Sequence, residues 1–204
     1  MGERRLPSRI DVLGVEPLYT GFFRLEAATV RHERFDGRMG EPQRILHFDR
    51  GDAVGVLLHD PSRDAICLVR QFRYPAWVRG GPGWILDVAA GILEAGETPE
   101  ATARREAVEE TGLAVSTLTP IATFYPSPGA CSERVFLYLG EVDLAGRLAG
   151  DGPASWAGGV DEAEDIEVVA LSRRLAMTWL AEGRFVEPKT LIALLWLERR
   201  LSAP

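Results

Sequence analysis

Short runs in which apolar and polar residues alternate dominate the first half of this chain, and the alternation predicts strands. Such runs fall at residues 22–32 and 44–48, the second reached through the turn pair Asp36-Gly37. Two more, at 52–59 and 65–72, flank Asp60-Pro61-Ser62 and read as an antiparallel pair. Residues 84–88 form a short strand after the loop Gly80-Gly81-Pro82-Gly83, and the glycine-bearing stretch 88–91 reads as a loop. The pattern then changes. Thr98 is a favourable N-cap, Pro99 occupies the first helical position, and Gly112 stands where glycine closes a helix.

Beyond this helix, strands are predicted at 118–124, 134–141 and 166–171, and helices at 174–182 and 189–201. Residues 149–159 are rich in Gly, Ala and Pro and read as a long mobile loop, which leads into the acidic run 161–165. There is no internal repeat and no break in composition. The segment before Arg50 is a candidate β appendage on a single core.

With 204 residues and 46% hydrophobic content, the chain can bury a sizeable core. Acidic residues outnumber basic ones, 30 to 23, and no basic run occurs, which argues against non-specific nucleic-acid or anionic-membrane binding. Cys67 and Cys131 lack CxxC spacing and read as reduced core or near-core residues. The first nine residues are polar and basic without an apolar run, so no signal peptide is expected. The apolar stretch near 191–197 is far short of the ~20 residues of a membrane span. A cytoplasmic protein follows as the expectation. His32, His47 and His59 show no ligand spacing and are expected on the surface or in packing. The apolar face of Leu191, Leu194, Leu195 and Leu201 is read as core or dimer contact.

The chemistry concentrates in residues 91–113, GILEAGETPEATARREAVEETGL. On a helix, Glu106, Glu109 and Glu110 lie within an arc of about 100°. Val108 and Ala101 fall nearly opposite, where they can pack on a core. Three like charges at this spacing repel one another. Either the cluster is a solvated face relieved by Arg104 and Arg105, or a hard divalent cation supplies the counter-charge.

The flanks decide between these readings. The window fits Gly-x5-Glu-x7-Arg-Glu-U-x-Glu-Glu-x-Gly-U, where U is bulky and apolar, with Gly91, Glu97, Arg105, Glu106, Glu109, Glu110, Gly112 and Leu113 in place. The one departure is Ala107, which is small but apolar. This pattern resembles the signature of the Nudix hydrolases. The resemblance implies an α/β fold, an α/β/α sandwich around a mixed sheet, with the Nudix domain at 51–204 and an N-terminal β segment at 1–50 involved in dimerisation. It implies hydrolysis of a nucleoside diphosphate linked to another group, with two or more Mg²⁺ ions (Mn²⁺ as the alternative). Glu106 and Glu110 would be the principal ligands, Glu109 would assist, and the Ala90 carbonyl would be a backbone ligand. Arg105 would orient the glutamates and Glu97 would support the loop.

Outside this window, Pro128 stands sixteen residues after Gly112, within Ser127-Pro128-Gly129 and ahead of Glu133. That placement is similar to the ADP-ribose pyrophosphatase branch, and implies ADP-ribose as substrate with AMP and ribose 5-phosphate as products. In Arg70-Gln-Phe-Arg73, Arg73 is the better candidate for the diphosphate, since a guanidinium matches phosphate oxygens. The resemblance places Arg44 and Arg50 where a partner subunit's N-terminal strand contributes to substrate binding, which implies a homodimer. It offers Phe22, Phe23 and Phe48 as aromatics that stack the base. Glu162 matches a general base on a late loop, and Glu164 an auxiliary metal-binding position. GDP-mannose or another nucleotide sugar is the alternative substrate. A module that binds nucleotide diphosphate without cleaving it is the alternative of another class, although no ligand glutamate is missing.

Overall fold

The computed structural model describes residues 8–149, 152–158 and 165–202, which fall into two units. Residues up to 51 together with 125–134 make the smaller unit. Its sheet has the order β1-β2-β3, from β1 (Ile10–Thr20), β2 (Arg24–His32) and β3 (Gln43–Asp49). The alternation pattern does not reveal β1, and the reason is local. Gly14 and Pro17 interrupt its alternation, and the pairing with β2 slips beside each of them, between Val12 and Gly14 and between Pro17 and Tyr19. Residues that weaken a regular strand are accommodated at bulges.

The larger unit holds β4 (Ala53–Asp60), β5 (Ala65–Phe72), α1 (Tyr74–Trp77), β6 (Trp84–Asp87), β7 (Ala89–Ile92) and α2 (Pro99–Thr111). It continues with β8 (Thr117–Phe124), β9 (Val135–Glu141), β10 (Ala154–Gly158), β11 (Ile166–Ser172), α3 (Arg173–Ala181) and α4 (Pro188–Leu201). The sheet runs β10-β11-β5-β4-β9-β8, with β6 on β5 and β7 on β4. It is mixed, because β4 and β9 are parallel while β4 and β5 are antiparallel, as predicted.

Alternation explains the layers. Val54, Val56 and Leu58 pack with Ala103 and Ala107 of α2 on one face. Leu57, Ile66, Leu68 and Val169 pack with Ala176 of α3 and with Ala193, Leu194 and Leu197 of α4 on the other. Successive strand residues therefore serve opposite layers, which gives an α/β/α sandwich. Cys67 lies fully buried in the first layer, and burial pushes its thiol up to about 12. Cys131 is half-buried, and both thiols are free. Among the described residues no helix is long and apolar enough to cross a membrane.

Several expectations need correction. Residues 89–91 are not a loop: β7 pairs with β4, setting Ala90 opposite Gly55 and Gly91 opposite Val54. Residues 154–158, expected within a mobile loop, form β10 against β11. Trp156 pins that strand, its indole N–H donating to the Thr111 carbonyl at 3.3 Å with the Arg147 guanidinium 4.8 Å from the ring. Val108 and Ala101 do not pack on the core; both are exposed, and α2 buries Ala103 and Ala107 instead. Separately from these corrections, Leu194 is core, and Leu195 and Leu201 are exposed.

The β4–β5 turn carries its own prediction. Asp60, 1% exposed, accepts from Ser62 N at 2.9 Å, Ser62 Oγ at 2.7 Å and Arg63 N at 3.1 Å, and from Arg63 Nη1 and Leu144 N at 2.8 Å. Burial alone would raise this carboxyl, but these bonds outweigh it and hold the group well below the usual carboxylate range. Asp60→Ala is expected to lower unfolding stability at pH 7 by about 2–4 kcal/mol. A depressed folded-state pKa contributes stability that is present above the unfolded value, about 3.9, and is lost as pH falls below it. Urea titrations should therefore show the gap between variant and parent closing on acidification below about pH 4.

Candidate active site

Thr98 opens α2 by accepting the Ala101 N–H at 3.2 Å, and Gly112 closes it at a φ of +71°. Between these caps the helix turns Ala103 and Ala107 onto the sheet, and Glu110 follows Ala107 at i+3 on the same face. The small Ala107, the departure from the sequence pattern, is fully buried. Close approach of helix and strand lets Glu110 Oε2 accept the Ala90 N–H of β7 at 2.9 Å. Glu110 is 6% exposed. Burial pushes its carboxyl up to about 8, the Ala90 N–H pulls down, Glu106 and Asp87 add to the push, and Arg73 opposes it.

Arg105 organises the other acids. Its Nε and Nη2 each donate to Glu97 at 3.0 Å, and its Nη1 donates to Glu106 at 2.7 Å and to Glu109 at 2.8 Å. Thr102 Oγ1 adds a bond to Glu97 at 2.7 Å. The guanidinium, helped by Thr102, holds the Glu97 carboxyl down at about 2, and Glu97 in turn keeps Arg105 above its ordinary value. Gly91 is required by close approach, because a Cβ there would overlap the Glu106 carboxylate.

The residues fit a hard divalent ion. Carboxylate oxygens beside a backbone carbonyl are the donors Mg²⁺ and Mn²⁺ prefer. The Gly91 cradle holds one of those carboxylates against β7, and Glu110 is buried with a field that disfavours its charge. Among the described residues no three acidic, histidine or cysteine side chains are gathered into a finished cage; Glu106 and Glu109 turn to Arg105, and Glu110 to Ala90.

Arg73 stands at the N-cap position of α1 without a side-chain capping bond and is exposed, whereas Arg70 is engaged with Glu167 at 2.7 Å. Glu162 and Glu164 lie outside the described residues. On the flanks of that segment Gly158 pairs with Ile166, and a Cβ on Gly158 would overlap the Glu110 carbonyl oxygen.

The smaller unit carries the remaining candidates. Arg44 reaches Glu16 at 3.1 Å on an exposed face. Arg50 pairs with Glu133 at 3.4 Å, and its guanidinium lies 5.6 Å from the Phe23 ring. Phe23 also packs edge-on against Phe48 at 5.3 Å, while Phe22 is 83% exposed and has the ring most open to a ligand. The Ser127 carbonyl accepts from Ala130 N at 3.2 Å and Cys131 N at 3.0 Å, so Pro128 and Gly129 form the tip of a tight turn. His47 bonds Glu26 at 2.8 Å, an ordinary packing role.

Behind β7 lies a buried polar group whose acids, Asp87 and Glu187, no motif in the sequence marks. Asp87, Glu187, Lys189 and Thr190 are joined by hydrogen bonds and ion pairs. The available signal was an acid inside the apolar run Trp84-Ile-Leu-Asp87-Val-Ala-Ala, which must find a partner once buried.

A capped helix that sets Glu106 and Glu110 against a glycine-bearing strand, with Arg105 holding Glu97, Glu106 and Glu109 beside them, inside an α/β/α sandwich, defines the class. The NUDIX domain family matches residues 49–182, and the chain belongs to it. Members of this family are generally dependent on divalent metal. The chain is 40% identical over 189 residues to the ADP-ribose pyrophosphatase of Escherichia coli (strain K12), covering 93% of this chain and 88% of that protein. It is 37% identical over 194 residues to the ADP-ribose pyrophosphatase of Haemophilus influenzae, covering 93% and 86%. With the GDP-mannose pyrophosphatase of Cronobacter sakazakii it shares 33% over 192 residues, covering 94% and 96%. A crystal structure of an ADP compounds hydrolase superposes with a TM-score of 0.68 at 19% identity, over 97% of this chain and 96% of that one, a likeness of fold.

Proposed function

We propose that this protein hydrolyses the diphosphate of ADP-ribose to AMP and ribose 5-phosphate, with Mg²⁺ or Mn²⁺ held by Glu106, Glu110 and the Ala90 carbonyl and assisted by Glu109. The observation that carries this reading is the complete glutamate set on α2, with Glu106 against Gly91, Glu110 bonded to Ala90 and Glu109 tied to Glu106 through Arg105, in a chain 40% identical to an ADP-ribose pyrophosphatase. Divalent ions at such a site supply positive charge to the non-bridging phosphate oxygens. Arg105 orients Glu106 and Glu109, and Glu97 steadies Arg105. Arg73 is the substrate cation of this unit. On resemblance, Arg44, Arg50, Ser127, Pro128, Gly129 and Glu133 contact substrate, and two free thiols accord with a cytoplasmic place of action.

The test offers the purified protein, with Mg²⁺, ADP-ribose, GDP-mannose, ADP-glucose and a diadenosine polyphosphate, and separates the products. AMP with ribose 5-phosphate, formed fastest from ADP-ribose, is the expected result. Faster release of GMP from GDP-mannose would move the substrate to the second group of relatives. Tight binding without any cleavage would make the protein a nucleotide-diphosphate sensor.

Glu162 is proposed as the general base that takes the proton of the attacking water, with Glu164 at an auxiliary metal position. Glu162→Gln should lower kcat by about 10²- to 10⁴-fold with KM little changed. Unaltered kcat would move the base to Glu109 or Glu164.

A second copy of the chain is proposed to cover the β1–β3 sheet. Ile10, Val12, Leu13, Val15 and Tyr19 of β1 are all more than half exposed, an apolar surface that a lone chain would leave in water. Light scattering should give twice the chain mass, and a Val12→Asp and Tyr19→Asp double variant should give the single-chain mass.

A further inference from the structure

The α4 N-terminus reaches the strand pair β6–β7 through side chains that the proposed chemistry does not use. Thr190, fully buried, accepts the Val88 N–H at 3.0 Å and donates to Asp87 Oδ1 at 3.1 Å. Lys189 Nζ lies 3.1 Å from Asp87 Oδ2 and 2.5 Å from Glu187 Oε1. Glu187 caps α4 by accepting the Thr190 N–H at 3.0 Å. The Lys189 stem continues onto β4: a Cβ on Gly55 would press on Lys189 Cδ, Val88 Cγ2 and Leu137 Cδ1, each at 3.2 Å.

Gly55 is the residue paired with Ala90, and Val88 immediately precedes β7. The network therefore grips both the entry to β7 and the residue opposite its functional carbonyl. From there the chain of contacts is short, since Ala90 N donates to Glu110 and Gly91 abuts Glu106. Stability alone does not account for this choice of residues. One ammonium is confined between two carboxylates whose side chains are 6% and 19% exposed, and well-packed apolar residues commonly hold such a place at equal or better stability.

We propose that Lys189, Thr190 and Asp87 are positioning residues that fix the β6–β7 corner, and through it the Ala90 carbonyl and the carboxylates of Glu106 and Glu110, in the arrangement that receives a divalent ion. This rests on the metal-dependent reading above. Groups that orient ligands from behind typically change metal affinity or activity by about 10–100-fold when removed.

The experiment measures Mn²⁺ binding to the substrate-free protein by calorimetry, alongside kcat, KM and thermal melting, in Thr190→Val and Lys189→Met. Both variants keep side-chain bulk; Thr190→Ser and Lys189→Arg serve as conservative controls. The expected result is a Kd for Mn²⁺ raised about tenfold, kcat lowered by a similar factor, and KM for ADP-ribose at saturating metal unchanged within about twofold. Thr190→Ser should recover most of both losses. Variants that melt lower but bind Mn²⁺ and turn over like the parent would overturn the proposal, reducing the network to a structural anchor. If Thr190→Val does not fold, Lys189→Met carries the same measurement. A parent protein that neither binds Mn²⁺ nor cleaves a nucleotide sugar would instead sink the metal-dependent reading, so the two failures are distinguishable.

Discussion

Replacing Glu110 with glutamine is expected to lower kcat/KM by a factor on the order of 10³ without lowering the melting temperature of the metal-free protein. The two effects part because the carboxylate is proposed to hold a cation, whereas its buried charge is unfavourable to the fold. Glu110 is 6% exposed, it accepts the Ala90 N–H, and burial pushes its carboxyl up to about 8. A glutamine oxygen can still accept from Ala90, so the helix–strand contact survives, while the charge available to a cation is gone. The pH dependence has a definite sign. A carboxyl raised from 4.5 to about 8 contributes stability that is fully present below pH 4.5 and lost as pH rises through about 8. In chelator, the parent should therefore melt progressively lower across that window, and Glu110→Gln should not follow that part of the decline. Added Mg²⁺ should raise the parent's melting temperature more at pH 8 than at pH 6, because ion and proton compete for one carboxylate. A variant retaining activity within tenfold of the parent would remove Glu110 from the metal site.

The unequal legibility of this chain follows from how local each determinant is. Strands β4, β5, β9 and β11 were readable because each serves two apolar layers and carries a dense run of Val, Leu and Ile. Helix α2 was readable because Thr98, Pro99 and Gly112 are local capping devices. By contrast, β7 and β10 are short and, apart from Ile92 and Trp156, built from small residues. Gly91 and Gly158 suggested loops, yet each is a glycine because another group approaches closely, the Glu106 carboxylate in one case and the Glu110 carbonyl in the other. No local pattern contains that information.

The site shows the same division. Glu97, Arg105, Glu106, Glu109 and Glu110 lie within one short window, and the structure joins them through Arg105 or places them at β7. Helical spacing identifies the acid face of α2 but not which neighbouring face meets the sheet. Val108 was the larger apolar residue, but Ala103 and Ala107 are what permit the close approach. Asp87 and Lys189 are separated by about a hundred residues, and only tertiary pairing with Thr190 and Glu187 brings them behind the site.

Gly91→Ala tests whether that closeness, rather than the acids alone, makes the site. The added methyl would occupy the space of the Glu106 carboxylate, so that side chain must swing away from β7. Because the clash is with the end of a flexible side chain and Gly91 has an ordinary strand conformation in its pairing with Val54, the fold should absorb it with little change in melting temperature. Activity should not absorb it. A displacement of about 1 Å in a catalytic constellation costs on the order of 10²-fold, and kcat/KM is expected to fall by about 10²–10³-fold with a higher Mg²⁺ concentration for half-maximal rate. The second substitution makes the argument specific. Glu106→Asp in the Gly91→Ala background shortens the displaced side chain by one methylene and relieves the overlap, so the double variant should be more active than Gly91→Ala alone. The same Glu106→Asp change in the parent should reduce activity, since there it only withdraws the carboxylate from its place against β7. That reversal of sign between the two backgrounds is a coupling that general destabilisation does not produce. Additive losses in the double variant would show that Gly91 acts on β7 itself and not through Glu106.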